Sequence, residues 1–397
     1  MVRRISDNEY KYVKEVLDTE FRTSSGAKMM RKLEEKFASV FNAKFGVAFI
    51  NGTATMHAAL ESFHFSPGDE VIVPPLTMSS TTFSVLQANL TPVFADIDAD
   101  TFQIDPKSIE ERITDRTKAI ITVALYGSSP NMTEIVKICK KHNLKLIEDN
   151  AECYLGKHNG KLVGTFGDFA SYSFQSSKHL TSGEGGMIIT NSEEDALAIR
   201  RVQSLGYAGL SANKAKITKL DIQDPNYLRH ASMGWNYRMP ELCCAVALAQ
   251  TERIEELVTV RQEAARFFLS ASEGFEEWFK PQHIPHTDIS SYWTWVVKLN
   301  TEKISWHDFR DRFIKNGGDG IYSAWQLSYL EPMMSNLNLL GRDRFISQEN
   351  LSNYQRGLCP IAEDIQPKLL QFKTNYWNNE DAKHQAEILR NTLKQIN

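Results

Sequence analysis

Cysteine is scarce in this chain. There are five in 397 residues (Cys139, Cys153, Cys243, Cys244 and Cys359), an odd number with no CxxC pair. That argues against a disulfide-stapled scaffold and for reduced thiols in a cytoplasmic protein. No HExxH, EF-hand or zinc-ligand spacing occurs, so a metal site is not expected. No stretch reaches the roughly 18 apolar residues of a membrane span. The opening MVRRISDNEYKYVKEV has no apolar core, so it does not read as a signal peptide. Lysine and arginine are scattered and the net charge is −4. Without a basic stripe, no nucleic-acid partner is expected. Internal repeats and low-complexity segments are absent too.

What is present is an ordinary globular composition, 42% hydrophobic and 24% charged. The length points to more than one domain. Over the first two thirds, short apolar runs alternate with helical periodicity. The runs are FGVAFI, EVIVP, TPVFADI, KAIITVAL, LKLIED, FASYSF and GGMIITN; helices are expected at 27–42, 54–64, 79–88, 132–143 and 193–204. Strands this continuously apolar are covered on both faces, so the expectation is an α/β fold with a mainly parallel sheet. Residues 207–232 read as polar and irregular. One long helix is expected from Pro240 to about Ser272. Beyond it come a strand at YWTWVVKL, a helix near 305–316 and a last helix near 380–396. The expected division is a large α/β domain over 1–250 and a small α+β domain over 251–397.

Parallel sheets bind ligands beyond the carboxyl ends of their strands. Four strand exits or connections carry unusual residues. INGTATMHAAL puts Gly52 and Thr53 at a strand-to-helix turn, where free N–H groups and the helix end suit a phosphate. LIEDNAEC leaves Asp149 at the end of an apolar strand, where a buried carboxylate needs a cation or strong donors. SFQSSKHLTSGEGG places Ser173 at a strand end and Lys178 just after it. GWNYRMPE carries Asn236 and Arg238. Each alone reads as a turn, a cap or a solvated side chain. In this order they meet the needs of pyridoxal phosphate: an anion cradle, a carboxylate for the ring nitrogen and a lysine for the aldehyde.

NGTAT, VIVPPLTM, PVFADID, LIEDNAE, GDFASYSFQSSKHLTSGEGGMIITN and GWNYRMPEL together resemble the sugar aminotransferases of the DegT/StrS type, over roughly residues 20–370. These belong to the fold-type I, aspartate aminotransferase-like enzymes. The resemblance implies a seven-stranded sheet and pyridoxal 5′-phosphate held by Lys178 as a Schiff base. It implies Asp149 on the pyridinium nitrogen, Gly52, Thr53 and Ser173 on the phosphate, and Ala151 under the ring. Asn236 would reach the cofactor of a second subunit, making a homodimer with shared sites. Glutamate would be the amino donor. The acceptor would be a keto- or aldehydo-sugar, either a nucleotide-linked 4-keto-hexose or a free sugar acid such as 8-oxo-3-deoxy-octulosonate, for cell-surface polysaccharide. Tyr322, Trp325, Gln326 and His179 are candidates for the substrate.

Three departures from the family pattern stand out. Met78 replaces an aromatic residue at a ring-stacking position, and a thioether also packs on a ring face. Ala124 replaces a histidine. Glu152 replaces a glutamine near the cofactor's phenolic oxygen; an ionised carboxylate there only accepts hydrogen bonds, so Glu152 is expected to be protonated or turned to another partner. Sugar dehydratases on the same scaffold carry histidine at the lysine position. Lys178 therefore argues against that chemistry, and the absence of a partner surface argues against a cofactor-binding regulator without turnover.

Overall fold

The structure is a computed structural model that describes residues 2–22, 28–213 and 223–396. Its strands are β1 Phe45–Phe49, β2 Glu70–Val73, β3 Thr91–Phe94, β4 Thr117–Val123, β5 Lys145–Asp149, β6 Lys157–His158, β7 Lys161–Leu162, β8 Phe169–Ser173, β9 Gly186–Thr190, β10 Phe279–Pro281, β11 Thr294–Leu299, β12 Ile321–Ser323 and β13 Leu369–Lys373. Its helices are α1 Asp7–Asp18, α2 Met29–Val40, α3 Gly52–Ser62, α4 Ser80–Gln87, α5 Pro106–Glu111, α6 Met132–His142, α7 Glu193–Gln203, α8 Glu241–Glu252, α9 Ile254–Ser272, α10 Trp306–Lys315, α11 Gln348–Asn353, α12 Pro360–Ile365 and α13 Asn379–Ile396.

All seven apolar runs join one sheet in the order β1-β9-β8-β5-β4-β2-β3. The pairs β2–β3, β2–β4, β4–β5 and β5–β8 are parallel. Only β9 runs against its neighbours. Helices cover both faces, and the central strands are buried along nearly their whole length. This is the parallel architecture that continuous apolar runs imply. Because β9 is antiparallel to both β1 and β8, those two strands point the same way. Phe49 and Ser173 therefore both lie beside Gly186. One edge of the sheet thus gathers the exits of β1, β4, β5 and β8 and the start of β9.

Two expectations are corrected. The single helix from Pro240 is two, α8 and α9, broken at Arg253 (φ −115°, ψ 18°). Arg253 is turned out of line and its side chain reaches Glu256 and the Arg3 carbonyl. The C-terminal part contains not one strand but a four-stranded antiparallel sheet, β10-β11-β13-β12. It wraps an aromatic core in which Phe268, Phe279, Trp295, Phe309 and Phe372 meet. Of the irregular stretch 207–232, residues 214–222 lie outside the described residues. Among the described residues no helix is long and apolar enough to cross a membrane, no group of side chains is placed to hold a metal ion, and all five cysteines are free.

Candidate active site

The gathered strand ends open on a cavity of about 720 Å³ between the two sheets. Its floor comes from the large sheet. Asp149 ends β5 and is 4% exposed. Its carboxylate accepts from the Ala151 N–H (3.1 Å) and the Thr81 hydroxyl (3.1 Å). Burial pushes its carboxyl above the ordinary carboxylate range, against the pull of those donors and of Lys178. The preceding residue gives the contrast. Glu148 accepts three backbone N–H groups, from Gly164, Phe166 and Gly167, at 2.6–2.7 Å, and is closed in. Asp149 faces the cavity with fewer donors, so a cation there satisfies what the protein leaves unmet.

Lys178 stands across from it, on the turn after β8. Its ammonium lies 3.2 Å from Glu152 Oε1 and 4.4 Å from the centre of the Trp293 ring. The other oxygen of Glu152 accepts the Tyr126 N–H at 3.0 Å. That amide is aimed by a left-handed backbone at Tyr126 (φ 62°, ψ 12°), a conformation costly for a tyrosine and held by full burial. Burial raises the Glu152 carboxyl, and Lys178 opposes the rise. Of the two expectations for Glu152, the structure shows a carboxyl with two named partners.

The phosphate-sized corner lies at the start of α3. Asn51 caps that helix, its side chain accepting from Ala54 N. A Cβ on Gly52 would stand 3.0 Å from the Ser173 Cβ, a tight contact that would crowd this corner. Gly186 is more tightly constrained: a Cβ there would clash with the Asn51 carbonyl at 2.6 Å. The glycines after Lys178 thus let β9 begin against the α3 turn. The residues present fit pyridoxal phosphate: an N–H-lined corner for the anion, Asp149 for the ring nitrogen and Lys178 for the aldehyde.

Gly52, Thr53, Met78, Asp149, Ala151, Glu152, Ser173, Lys178, Tyr322 and Trp325 all line this one cavity. Three candidates do not. Gln326 is exposed outside it, its side chain turned back to the Leu327 N–H. His179 is fully buried behind the lysine, its Nε2 2.9 Å from the Ser291 carbonyl. Burial, with Arg261 and Lys178 nearby, holds its imidazole well below the usual range, so it stays neutral and out of the substrate's reach. Asn236 is exposed and lies outside the cavity of its own chain.

The sequence reading missed several residues that line the cavity or support its walls. Trp293 stacks on Trp325 (centroids 5.8 Å, 22° between planes) to form an aromatic wall. Thr81 supplies a donor to Asp149 from α4. Arg261 reaches the cavity from α9. Trp293 sits in YWTWVVKL one residue before β11 begins at Thr294; strand alternation would put it on the same face as Trp295 and so does not mark it as a cavity residue. Arg261 carries no signal either, because one arginine on a long helix reads as a solvated charge.

A seven-stranded, mainly parallel sheet with a lysine and an aspartate at its carboxyl edge, closed by a small antiparallel sheet, defines a fold-type I pyridoxal-phosphate enzyme. The chain matches the DegT/DnrJ/EryC1/StrS aminotransferase family over residues 3–358 and belongs to that family. It is similar to the GDP-perosamine synthase of Caulobacter vibrioides, 35% identical over 314 residues that cover 79% of each chain. It is also similar to the GDP-4-keto-6-deoxy-D-mannose 3-dehydratase of Escherichia coli O55:H7, 33% identical over 66% of this chain and 69% of that one. Among solved structures, an aminotransferase from Psychrobacter cryohalolentis superposes with a TM-score of 0.87 at 25% identity, covering 100% of this chain and 99% of that one. The protein is a pyridoxal-phosphate-dependent sugar aminotransferase.

Proposed function

We propose that the enzyme moves the amino group of glutamate onto a nucleotide-linked 4-keto-hexose, as a step toward an amino sugar of a cell-surface polysaccharide. The observation that carries this reading is Lys178 itself. A lysine amine, not an imidazole, faces the cavity beside Glu152 and opposite Asp149, which favours amino transfer over the dehydration performed by a relative. The nucleotide-linked acceptor rests on likeness to a GDP-perosamine synthase. A free sugar acid is the second candidate.

Lys178 would hold the cofactor's aldehyde carbon. Asp149 would keep its ring nitrogen protonated. Gly52, Thr53 and Ser173 would take the phosphate, with Met78 and Ala151 against the ring faces. Pyridoxal phosphate supplies an electron sink that makes the donor's α-proton acidic. The Lys178 Nζ would take that proton as general base. Glu152 Oε1, 3.2 Å away, accepts a hydrogen bond from Nζ and holds it beside the reacting carbon's place. Trp293, Trp325 and the exposed Tyr322 offer the sugar an apolar wall with a polar rim.

The working unit would be a homodimer. Asn236 is exposed beyond its own cavity, and Met233 and Leu228, 80% and 83% exposed, lie near it in sequence on surface that a second subunit would cover. The free thiols suit the cytoplasm. The test is a screen of keto- and aldehydo-sugars, nucleotide-linked and free, with glutamate as donor. Amination of a nucleotide-linked 4-keto-hexose supports the reading. Amination of free sugar acids alone replaces the acceptor, and no amination of any sugar rejects it.

A further inference from the structure

The backbone of the lysine turn is held from outside the large sheet, residue by residue. The Ser176 carbonyl accepts from the guanidinium of Arg4, in the segment before α1. The Ser177 carbonyl accepts from Arg261 on α9 (2.9 Å) and from the indole N–H of Trp293 (2.9 Å). The Lys178 carbonyl accepts from the same Arg261 nitrogen (3.1 Å). The other Arg261 nitrogen donates to the Trp293 carbonyl (2.7 Å), which also takes the Thr374 hydroxyl (2.9 Å).

These two arginines are unusual for their surroundings. Arg261 is 2% exposed, and neither it nor Arg4 forms an ion pair among the described residues. Burial pulls the Arg261 guanidinium down to about 9, with Arg4 adding to the fall. A fully buried cation without an ion pair, beside the half-buried Arg4 and near a third cation at Lys178, costs stability. A neutral amide would satisfy one carbonyl without that cost. A planar guanidinium presents five N–H donors in a fixed fork and fastens several carbonyls at once. The geometry therefore serves the placement of the turn.

We infer that Arg4 and Arg261 are positioning residues: they fasten the Ser176–Lys178 backbone to the N-terminal segment and the small sheet, and so set the approach of the Lys178 Nζ to the reacting carbon. The inference rests on the reading of Lys178 as the cofactor-bearing lysine. Its consequence is that the first residues of the chain belong to the catalytic apparatus. Neither arginine touches the substrate in this role; Arg4 acts through the Ser176 carbonyl and Arg261 through those of Ser177 and Lys178.

The test uses Arg4→Gln, Arg261→Lys and Arg261→Gln in the full chain. Arg4 is half-buried and its guanidinium donates to the Ser176 carbonyl, so its variant is expected to fold even where a change at the fully buried Arg261 does not. For the loaded enzyme, the single-turnover reaction with glutamate is followed by stopped-flow absorbance, together with the pH dependence of the bound cofactor's absorbance. For the cofactor-free enzyme, hydrogen exchange of residues 174–182 is measured. The expected result is about a tenfold fall in the single-turnover rate for Arg4→Gln and Arg261→Lys, as a small misplacement gives, with the glutamate KM within about twofold. The midpoint of the absorbance titration should move, and exchange should rise in 174–182 only. Arg261→Lys fails despite keeping its charge, because it lacks the fork. Wild-type rate, titration and exchange in both variants overturn the inference. So does a rate loss that follows KM, or exchange raised across the whole chain. Borohydride reduction of the unmodified enzyme separates the two claims: a cofactor linked elsewhere than Lys178 sinks the underlying reading, whatever the arginine variants do.

Discussion

Lys178 and Glu152 form a buried pair. Nζ and Oε1 are 3.2 Å apart, and the side chains are 12% and 4% exposed. Glutamine at 152 keeps an acceptor for the Tyr126 N–H but cannot store a proton or a charge. Glu152→Gln is expected to fold normally and to lower kcat by about tenfold. The acid limb of its kcat-against-pH profile should flatten, because the carboxyl raised by burial no longer titrates. A profile that overlays the wild type removes Glu152 from the proton path.

Asp149 should trade stability for chemistry. Its folded-state carboxyl lies above the ordinary value near 4, chiefly through burial. In the cofactor-free protein the folded state then binds this proton more tightly than the unfolded chain does. The contribution favours folding at acid pH and is lost as pH rises from about 4 through the raised folded value. Asp149→Asn is therefore expected to raise the Tm of cofactor-free enzyme at pH 7 by about 2–4 °C. The gain should vanish near pH 4, while turnover falls by about 100-fold or more. The same gain at both pH values would show that the charge is not its cause.

Gly52→Ala adds a methyl that meets Ser173 at 3.0 Å. The helix itself tolerates alanine well, so circular dichroism should be unchanged. Cofactor affinity should fall by about tenfold, some 1.4 kcal/mol. Unchanged affinity places the phosphate elsewhere.

Sharing of sites has a sharp consequence. If Asn236 serves the other subunit's cofactor, mixing Lys178→Ala with Asn236→Asp chains restores one complete site in each mixed dimer. Random mixing of equal amounts should recover about a quarter of wild-type activity from two nearly inactive parents. If Asn236 acts within its own chain, no mixture recovers.

The large sheet was legible because each of its strands is buried on both faces and reads as an unbroken apolar run; Glu148–Asp149 was the exception that marked the site. The break at Arg253 was not legible. It has neither proline nor glycine, and arises from contacts with Glu256 and the Arg3 carbonyl, one of them far away in sequence. The short strands Phe279–Pro281 and Ile321–Ser323 were hidden because three residues carry no period. Leu369–Lys373 alternates too weakly to separate from a loop. Lys178, Asp149 and Gly52 were readable from local chemistry at strand exits. Arg261 and Thr81 were not, since their partners are fixed only by tertiary packing. Placing His179 with the substrate failed for the same reason: polarity beside Lys178 says nothing about which way a ring turns.

The central claim is that Lys178 is the residue that carries the cofactor. Reduction of the loaded enzyme with borohydride, followed by digestion and mass mapping of the pyridoxyl group, tests it most directly. The account predicts the label on Lys178 alone, and its loss when the enzyme is first exposed to glutamate. A label on another lysine, or none before glutamate is added, contradicts it.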